Sequence, residues 1–429
     1  MRTLAIVLFL STQLLAQGDL PNSVGTGEFP PKVDVSTDIR ELRELEIEAF
    51  TSGYEALKTR FERGLIRASF LQDPLSRLTD VRLQNATSRQ ERLDVIQDSF
   101  VKALTIWQRV YELHKVGQLG GEEDTEALSR VAVYRYRVMW LQEFTEGAVQ
   151  GTKVPNVDSL HVSESLLKGE LPSGLDSTDL EIVCNLHVKV LEACLQTVKV
   201  RYERGSIPIA VYCNTIEALN DARLKIATTK QARLDVLEGS LVNALLLWQR
   251  IHELQKVGQR GGEAEHETKA RALMLGYRAR WLEETVATTN EKNKASQFAM
   301  DTDGIPEQIG TGEFPPGLKT ANEVESVRKL QLEALELQLA VVRNRYERGL
   351  TNVTVVFNVQ TDLALTRLAF TQDEKKRLEH IEEAFAGALK SWQRCIQLGK
   401  IGARGAEDEV IVRAMVYHYR IMWLMEKEK

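Results

Sequence analysis

The sequence has little proline, little cysteine and no long apolar run in its interior, and each shortage excludes a class of protein. Ten prolines and 27 glycines among 429 residues are too few for a turn-rich all-β protein or a disordered chain. The four cysteines include no Cys-x-x-Cys pair, so a thiolate metal site is not indicated. Beyond the first residues no stretch reaches about 18 apolar positions, which excludes an integral membrane span.

Charge and motif content exclude further functions. The 61 acidic residues outnumber the 55 basic ones, which argues against a surface that coats nucleic acid. The sequence lacks a Gly-x-Ser-x-Gly, a His-Glu-x-x-His, a P-loop and a dinucleotide fingerprint, and its seven histidines lack metal-ligand spacing. We therefore expect no cofactor, no metal and no nucleic-acid partner, and we predict that the chain is not an enzyme.

The first residues are typical of a secretory signal peptide. One positive charge, Arg2, precedes the apolar run Leu4–Leu10, and the chain turns polar after Gly18. We predict a signal peptide at 1–17, which places the exported chain in the periplasm or outside the cell. A cytosolic N-terminus that happens to be apolar is the alternative.

Internal repetition is the strongest signal in the sequence. Arg-Phe-Glu-Arg-Gly at 60–64 returns as Arg-Tyr-Glu-Arg-Gly at 201–205 and at 345–349. Residues 92–118 share 17 identities in 27 positions with residues 233–259, which chance does not explain. We infer that one unit was triplicated.

The repeats and the segments between them divide the chain into seven parts. These are a signal peptide at 1–17, an extended N-terminal arm at 18–36, helical repeats at 37–146, 178–288 and 322–429, and linkers at 147–177 and 289–321. The motif Gly-Thr-Gly-Glu-Phe-Pro-Pro precedes the first and third repeats, and a degenerate copy precedes the second. These segments are either flexible linkers or arms that pack on their own repeat through Phe29, Leu171 and Phe314.

Each repeat is predicted to be an up-down antiparallel four-helix unit of coiled-coil-like hairpins, so the fold class is all-α. Apolar residues recur every three or four positions along each predicted helix. In the first repeat we expect helices at about 37–63, 66–86, 89–117 and from 122 to beyond Trp140. Ser88 with Glu91, and Thr371 with Glu374, indicate capping boxes before third helices.

Glycines and tryptophans occupy equivalent places in the three repeats. Gly64, Gly205 and Gly349 each follow an arginine-rich helix end, and we predict that they adopt positive φ there. The tryptophans are Trp107, Trp248 and Trp392 on the third helices, and Trp140, Trp281 and Trp423 on the fourth helices. We predict that all six pack in the core; a triplicated ligand cleft stacked with aromatic rings is the alternative.

The cysteines allow one disulfide. In a hairpin that turns near residue 205, Cys194 and Cys213 are nearly level, so they are the feasible pair; four unpaired thiols are the alternative, which we prefer. Cys395 aligns with apolar positions and is expected to be a buried thiol. Cys184 and Cys194 are expected to lie off the core.

Part of each repeat resembles the helical hairpin of TolC-type outer-membrane efflux proteins. The resemblance rests on Arg-Tyr-Glu-Arg-Gly-Leu-Thr at 345–351, followed by Asp-Leu-Ala-Leu-Thr-Arg-Leu-Ala at 362–369. It implies helical hairpins and an envelope location. The sequence departs from that family because it has three units instead of a two-fold repeat and no recognisable membrane strands. The resemblance therefore does not imply a pore.

Together these features predict an exported, non-enzymatic scaffold or binding protein of the cell envelope. A periplasmic or outer-membrane component of a TolC-like efflux system is the alternative, and an enzyme with an unrecognised site is a third. We expect a protein partner in the envelope. The residues specify neither that partner nor the oligomeric state.

Gly205→Val should destabilise the protein much more than Gly205→Asn, because asparagine tolerates positive φ and a β-branched residue does not. We expect the two variants to differ by more than about 1 kcal/mol in free energy of unfolding. Urea denaturation of both variants beside the unaltered chain measures the difference. Equal losses in the two variants would contradict the turn.

Overall fold

The computed structural model describes residues 28–33, 36–117, 123–146, 171–207, 209–258, 264–286, 323–348, 351, 353–400 and 406–429. The predicted signal peptide at 1–17, the linker at 289–321 and Gly349 lie outside these described residues. The N-terminal arm and the first linker are described only in part.

The described chain is all-α, with twelve helices, no β-strand and four helices in each predicted repeat. The helices are α1 (Ile39–Glu62), α2 (Ser69–Asn85), α3 (Arg89–Lys115), α4 (Glu123–Glu146), α5 (Leu180–Glu203), α6 (Ile209–Ile226), α7 (Lys230–Lys256), α8 (Ala264–Val286), α9 (Val324–Glu347), α10 (Val353–Phe370), α11 (Glu374–Lys400) and α12 (Ala406–Lys427). Within these ranges, no helix combines the length and the apolar character that crossing a bilayer requires.

The first helix of a repeat ends as predicted, at a glycine with positive φ. Gly64 has φ 71° and Gly205 has φ 67°. After α1, the N–H of Gly64 donates to Phe61 and that of Leu65 to Arg60, which is the Schellman pattern of hydrogen bonds. The left-handed glycine reverses the chain within a few residues, so α2 returns along α1 and the two pack together as a hairpin.

The third helices begin at side-chain caps, one of which differs from the prediction. Ser88 and Glu91 form the expected capping box at the start of α3. At α11 the predicted pair of Thr371 and Glu374 is wrong: the carboxylate of Asp373 accepts the hydrogen bond from the N–H of Lys376 at 2.9 Å. Asp373 directly precedes Glu374, the first residue of α11. A carboxylate accepts a hydrogen bond from a free N–H of the first helical turn as well as a threonine hydroxyl does. The predicted cap, Thr371, is therefore two residues too early.

The described residues form two compact units, and the first joins the two ends of the chain. It comprises Met1–Asn85 and Val342–Lys429. In this unit α1 packs on α2 and on α12, while α10, α11 and α12 pack on one another. The first helix of the first repeat therefore lies against the last helix of the third repeat.

The second compact unit, Ala86–Val341, contains α3 to α8 and most of α9. Its helices form hairpins, α3 with α4, α5 with α6 and α7 with α8. In addition α4 packs on α5, and α6 packs on α7 and α8. A fourth helix thus again lies against the first helix of another repeat, here α4 of the first repeat against α5 of the second.

An arginine–glutamate ion pair joins the third and fourth helices of every repeat. The pairs are Arg92–Glu143, Arg233–Glu284 and Arg377–Glu426, with N–O distances of 2.6, 2.7 and 2.5 Å. The Glu426 side chain is only 7 % exposed. Its hydrogen bond from Arg377 lowers the pKa of Glu426 to about 2. The pair therefore holds the α11–α12 hairpin more tightly when Glu426 is ionised.

Acid should weaken the α11–α12 hairpin through Glu426. The folded-state pKa of about 2 lies below the ordinary value of 4.5, so the carboxylate's contribution is fully present above pH 4.5 and is lost as the pH falls through 2. Glu426→Gln should flatten the pH dependence of urea denaturation over that range. Glu428→Gln, at an exposed neighbour, should leave it unchanged. A Glu426→Gln protein as acid-sensitive as the unaltered chain would contradict this.

Candidate functional site

The tryptophans of the third helices are buried and bonded to the fourth helices. Trp107, Trp248 and Trp392 are 3 %, 1 % and 4 % exposed, as expected for core residues. Their indole N–H groups donate to Glu126 at 2.7 Å, Glu267 at 2.6 Å and Glu409 at 2.8 Å, respectively. Each indole is committed to a bond inside its own hairpin, which does not favour the aromatic ligand cleft. Sequence reasoning missed these glutamates, although they recur at the repeat spacing.

Two tryptophans of the fourth helices, Trp140 and Trp423, lie under buried arginines. Trp140, Trp281 and Trp423 are also in the core. The guanidinium carbon of Arg137 lies 5.3 Å from the ring centre of Trp140, and that of Arg420 lies 4.8 Å from Trp423. A cation over an indole face is attracted by the ring's quadrupole, more strongly away from water.

These buried arginines reach the backbone of the arms that precede first helices. Arg137 and Arg420 are both 0 % exposed. Arg137 Nη2 donates to the carbonyl of Ser177 at 3.0 Å, and Arg420 Nη2 donates to the carbonyl of Ser36 at 3.4 Å. Burial lowers the pKa of Arg137 to about 10, so it remains charged at neutral pH. Arg278 takes the equivalent place in α8 and is equally buried.

Tyrosines one turn earlier bind the same arms. The hydroxyl of Tyr134 donates to the carbonyl of Ser173 at 2.5 Å, and that of Tyr417 donates to the carbonyl of Pro31 at 3.0 Å. The described parts of the arms are therefore packed segments. Each packs on the fourth helix of another repeat. The N-terminal arm also contacts its own repeat, because the hydroxyl of Ser36 donates to Glu41 of α1 at 2.7 Å.

The apolar anchors of the arms also differ from the expected ones. Phe29 and Leu171 are half-buried, whereas Val33 and Leu175, four residues further on, are 0 % exposed. Phe314 lies outside the described residues. The arms turn after their prolines, and this turn brings the later aliphatic side chain inward.

One cavity carries ionisable side chains that do not recur. It lies in the first unit, where α1, α2 and α12 meet, and has a volume of about 250 Å³. Its lining residues are Arg43, Glu46, Val81, Gln84, His418, Ile421, Met422 and Met425. Glu46 is 2 % exposed, and its carboxylate lies 2.9 Å from Nδ1 of His418. The sequence does not reveal this pair, because the two residues are at opposite ends of the chain.

The equivalent positions in the second unit carry different pairs. His187 takes the place of Glu46, and burial together with the positive charges of Lys225 and Arg135 lowers the pKa of His187 to about 4. Gln331 takes that place in α9, close enough to Gly276 that a Cβ there would lie 3.1 Å from its amide nitrogen. The chemistry at this position therefore differs among the three pairs of first and fourth helices.

The four cysteines are all buried thiols, and none of them is part of a disulfide. Cys194 and Cys213 are both 0 % exposed, and burial raises the pKa of each thiol to about 12. The expectation that Cys184 and Cys194 lie off the core is wrong, since both are buried. Their counterparts in other repeats are Arg43 and Gly53, so alignment alone could not show that α5 buries this face against α4.

Among the described residues, no group of three or more His, Cys, Asp or Glu side chains is placed to hold a metal ion. Neither a protein-family model nor a curated protein sequence matches the chain.

Trp248→Ala should cost roughly 3–5 kcal/mol of stability, because it deletes a ring that is 1 % exposed. Glu267→Gln should cost less, since the amide oxygen still accepts the indole hydrogen bond. Urea denaturation of the full chain gives both values. A loss below about 1 kcal/mol in the alanine variant would mean that the ring is not a packed core group, and would revive the ligand-cleft interpretation.

Proposed function

We propose that the chain is an exported, non-enzymatic scaffold or binding protein of the cell envelope, whose sequence repeats a four-helix pattern three times. The observation that carries this proposal is that the side chains shared by the repeats serve internal bonds. The Trp–Glu bonds and the Arg–Glu pairs occur in all three repeats. Triplication preserved what holds hairpins together, as a scaffold requires.

The arms support the same conclusion. Arg137 of the first repeat holds the arm that leads into the second repeat, and Arg420 of the third repeat holds the arm that leads into the first. A fourth helix therefore binds an arm from another repeat in both described cases. Such contacts between one repeat and the arm of another suit a scaffold, because they join its repeats to one another.

A component of a TolC-like efflux system is the second candidate. Besides the hairpin resemblance, one observation favours it: Val116 and Val257, directly after the last turns of α3 and α7, are each 66 % exposed. Equivalent apolar side chains at two hairpin ends fit contact with another envelope protein. If the chain is a scaffold, we expect its partner to bind at the same two hairpin ends.

Fractionation of cells that express the chain naturally tests the proposal. A scaffold should be in the envelope fraction and be released without detergent, whereas an outer-membrane component should need detergent. Recovery of the chain in the cytosol would overturn both candidate functions.

The partner is tested by a pull-down from envelope extract with a variant that combines Val116→Asp and Val257→Asp. This variant should lose the partner, and Leu246→Asp, at an exposed site on the side of α7, should retain it.

A further inference from the structure

We propose that the cavity between α1, α2 and α12 binds a soft monovalent metal ion, Cu(I) or its chemical analogue Ag(I). The ligands are the thioether sulfurs of Met422 and Met425 and Nε2 of His418. The proposal is independent of the envelope function, because it concerns what this cavity binds and not where the chain acts.

The three donors share one face of α12. His418, Met422 and Met425 are at positions i, i+4 and i+7, which stack on the same side of a helix, and all three line the cavity. Met425 is 43 % exposed, so the cavity has an entry from solvent on this side. The helix thus brings two sulfurs and one imidazole to one small space.

The histidine is held as a metal ligand requires. Glu46 is 2 % exposed and its carboxylate lies 2.9 Å from His418 Nδ1. A carboxylate accepts hydrogen bonds, so the hydrogen of the neutral imidazole is on Nδ1 and the lone pair is on Nε2. A carboxylate that orients a histidine in this way is the usual partner of a metal-bound imidazole.

The types of ligand and the charges that line the cavity indicate which metal ion fits. Thioether sulfurs are soft ligands, which favour a soft ion such as Cu(I) over magnesium or calcium. Arg43 and Glu46, which both line the cavity, carry opposite charges. A monovalent ion adds one charge to a balanced site, whereas a divalent ion would add two. Arg43 Nη2 also donates to the sulfur of Met425 at 3.5 Å, which places that sulfur beside the cavity.

The other repeats show that packing does not need these donors. The places of His418, Met422 and Met425 are taken by Arg135, Met139 and Gln142 in α4, and by Gly276, Arg280 and Glu283 in α8. Both of those helices pack in the same kind of hairpin, with the same Trp–Glu bond. The imidazole of His418 and the second sulfur, that of Met425, therefore occur only in the α12 copy and are not requirements of the fold.

The test is metal binding by the full chain. Cu(I) affinity is measured anaerobically by competition with a chromophoric chelator, and Ag(I) serves as a redox-inert probe of the same site. Met422→Leu combined with Met425→Leu should weaken binding by roughly 100-fold or more, because loss of even an orienting partner typically costs about 10–100-fold. Glu46→Gln, which removes only the positioning carboxylate, should fall within that smaller range.

The matched control is Met139→Leu, at the position in α4 that corresponds to Met422, which should bind as the unaltered chain does. Nuclear magnetic resonance of ¹³C-methyl methionine locates the ion directly: Ag(I) should shift the methyl signals of Met422 and Met425 and leave those of Met139 and Met274 in place. Unchanged affinity in the double variant would overturn the proposal and assign the metal to the buried thiols. Shifts spread over all methionines, or no saturable binding, would also overturn it.

Discussion

The structure depends on a buried guanidinium in the fourth helix of each repeat. A charge without water costs several kcal/mol unless polar partners and a favourable field surround it. Arg137 and Arg420 meet this condition with a tryptophan face on one side and an arm carbonyl on the other. The arms therefore supply hydrogen-bond acceptors to buried arginines, although their composition is that of linkers. Without an arm, Arg137 and Arg420 would each lose the carbonyl to which Nη2 donates.

The bonds between the third and fourth helices are the same in the three repeats, whereas the contacts between fourth and first helices differ. Bonds within the second hairpin are the same in every copy, because the same indole and the same guanidinium meet the same glutamates. Where a fourth helix meets a first helix, the copies differ, with Glu46 beside His418 in one and His187 near Arg135 in another. The shared bonds stabilise the hairpins. The side chains between a fourth helix and a first helix can therefore differ from one repeat to the next.

Local features of the fold were readable from the sequence, and long-range ones were not. Helix ends at Gly64 and Gly205 and the burial of the tryptophans follow from spacing and residue type alone. The pairing of Glu46 with His418 does not, since it joins residues at opposite ends of the chain that no periodicity connects. Cys194 was misjudged for the same reason: its burial depends on which helix α5 meets, and linker composition does not encode that choice.

The packing of α1 on α12 sets the order in which the molecule can be completed. α1 ends at Glu62 and α12 begins at Ala406, so the ribosome makes α2 soon after α1 but nearly the whole chain before α1 can meet α12. At ordinary synthesis rates the part of α1 that meets α12, with Glu46 and Gly53, is uncovered for on the order of tens of seconds. The first unit is consequently the last to close. It is also the part that an interrupted translation would leave open to aggregation.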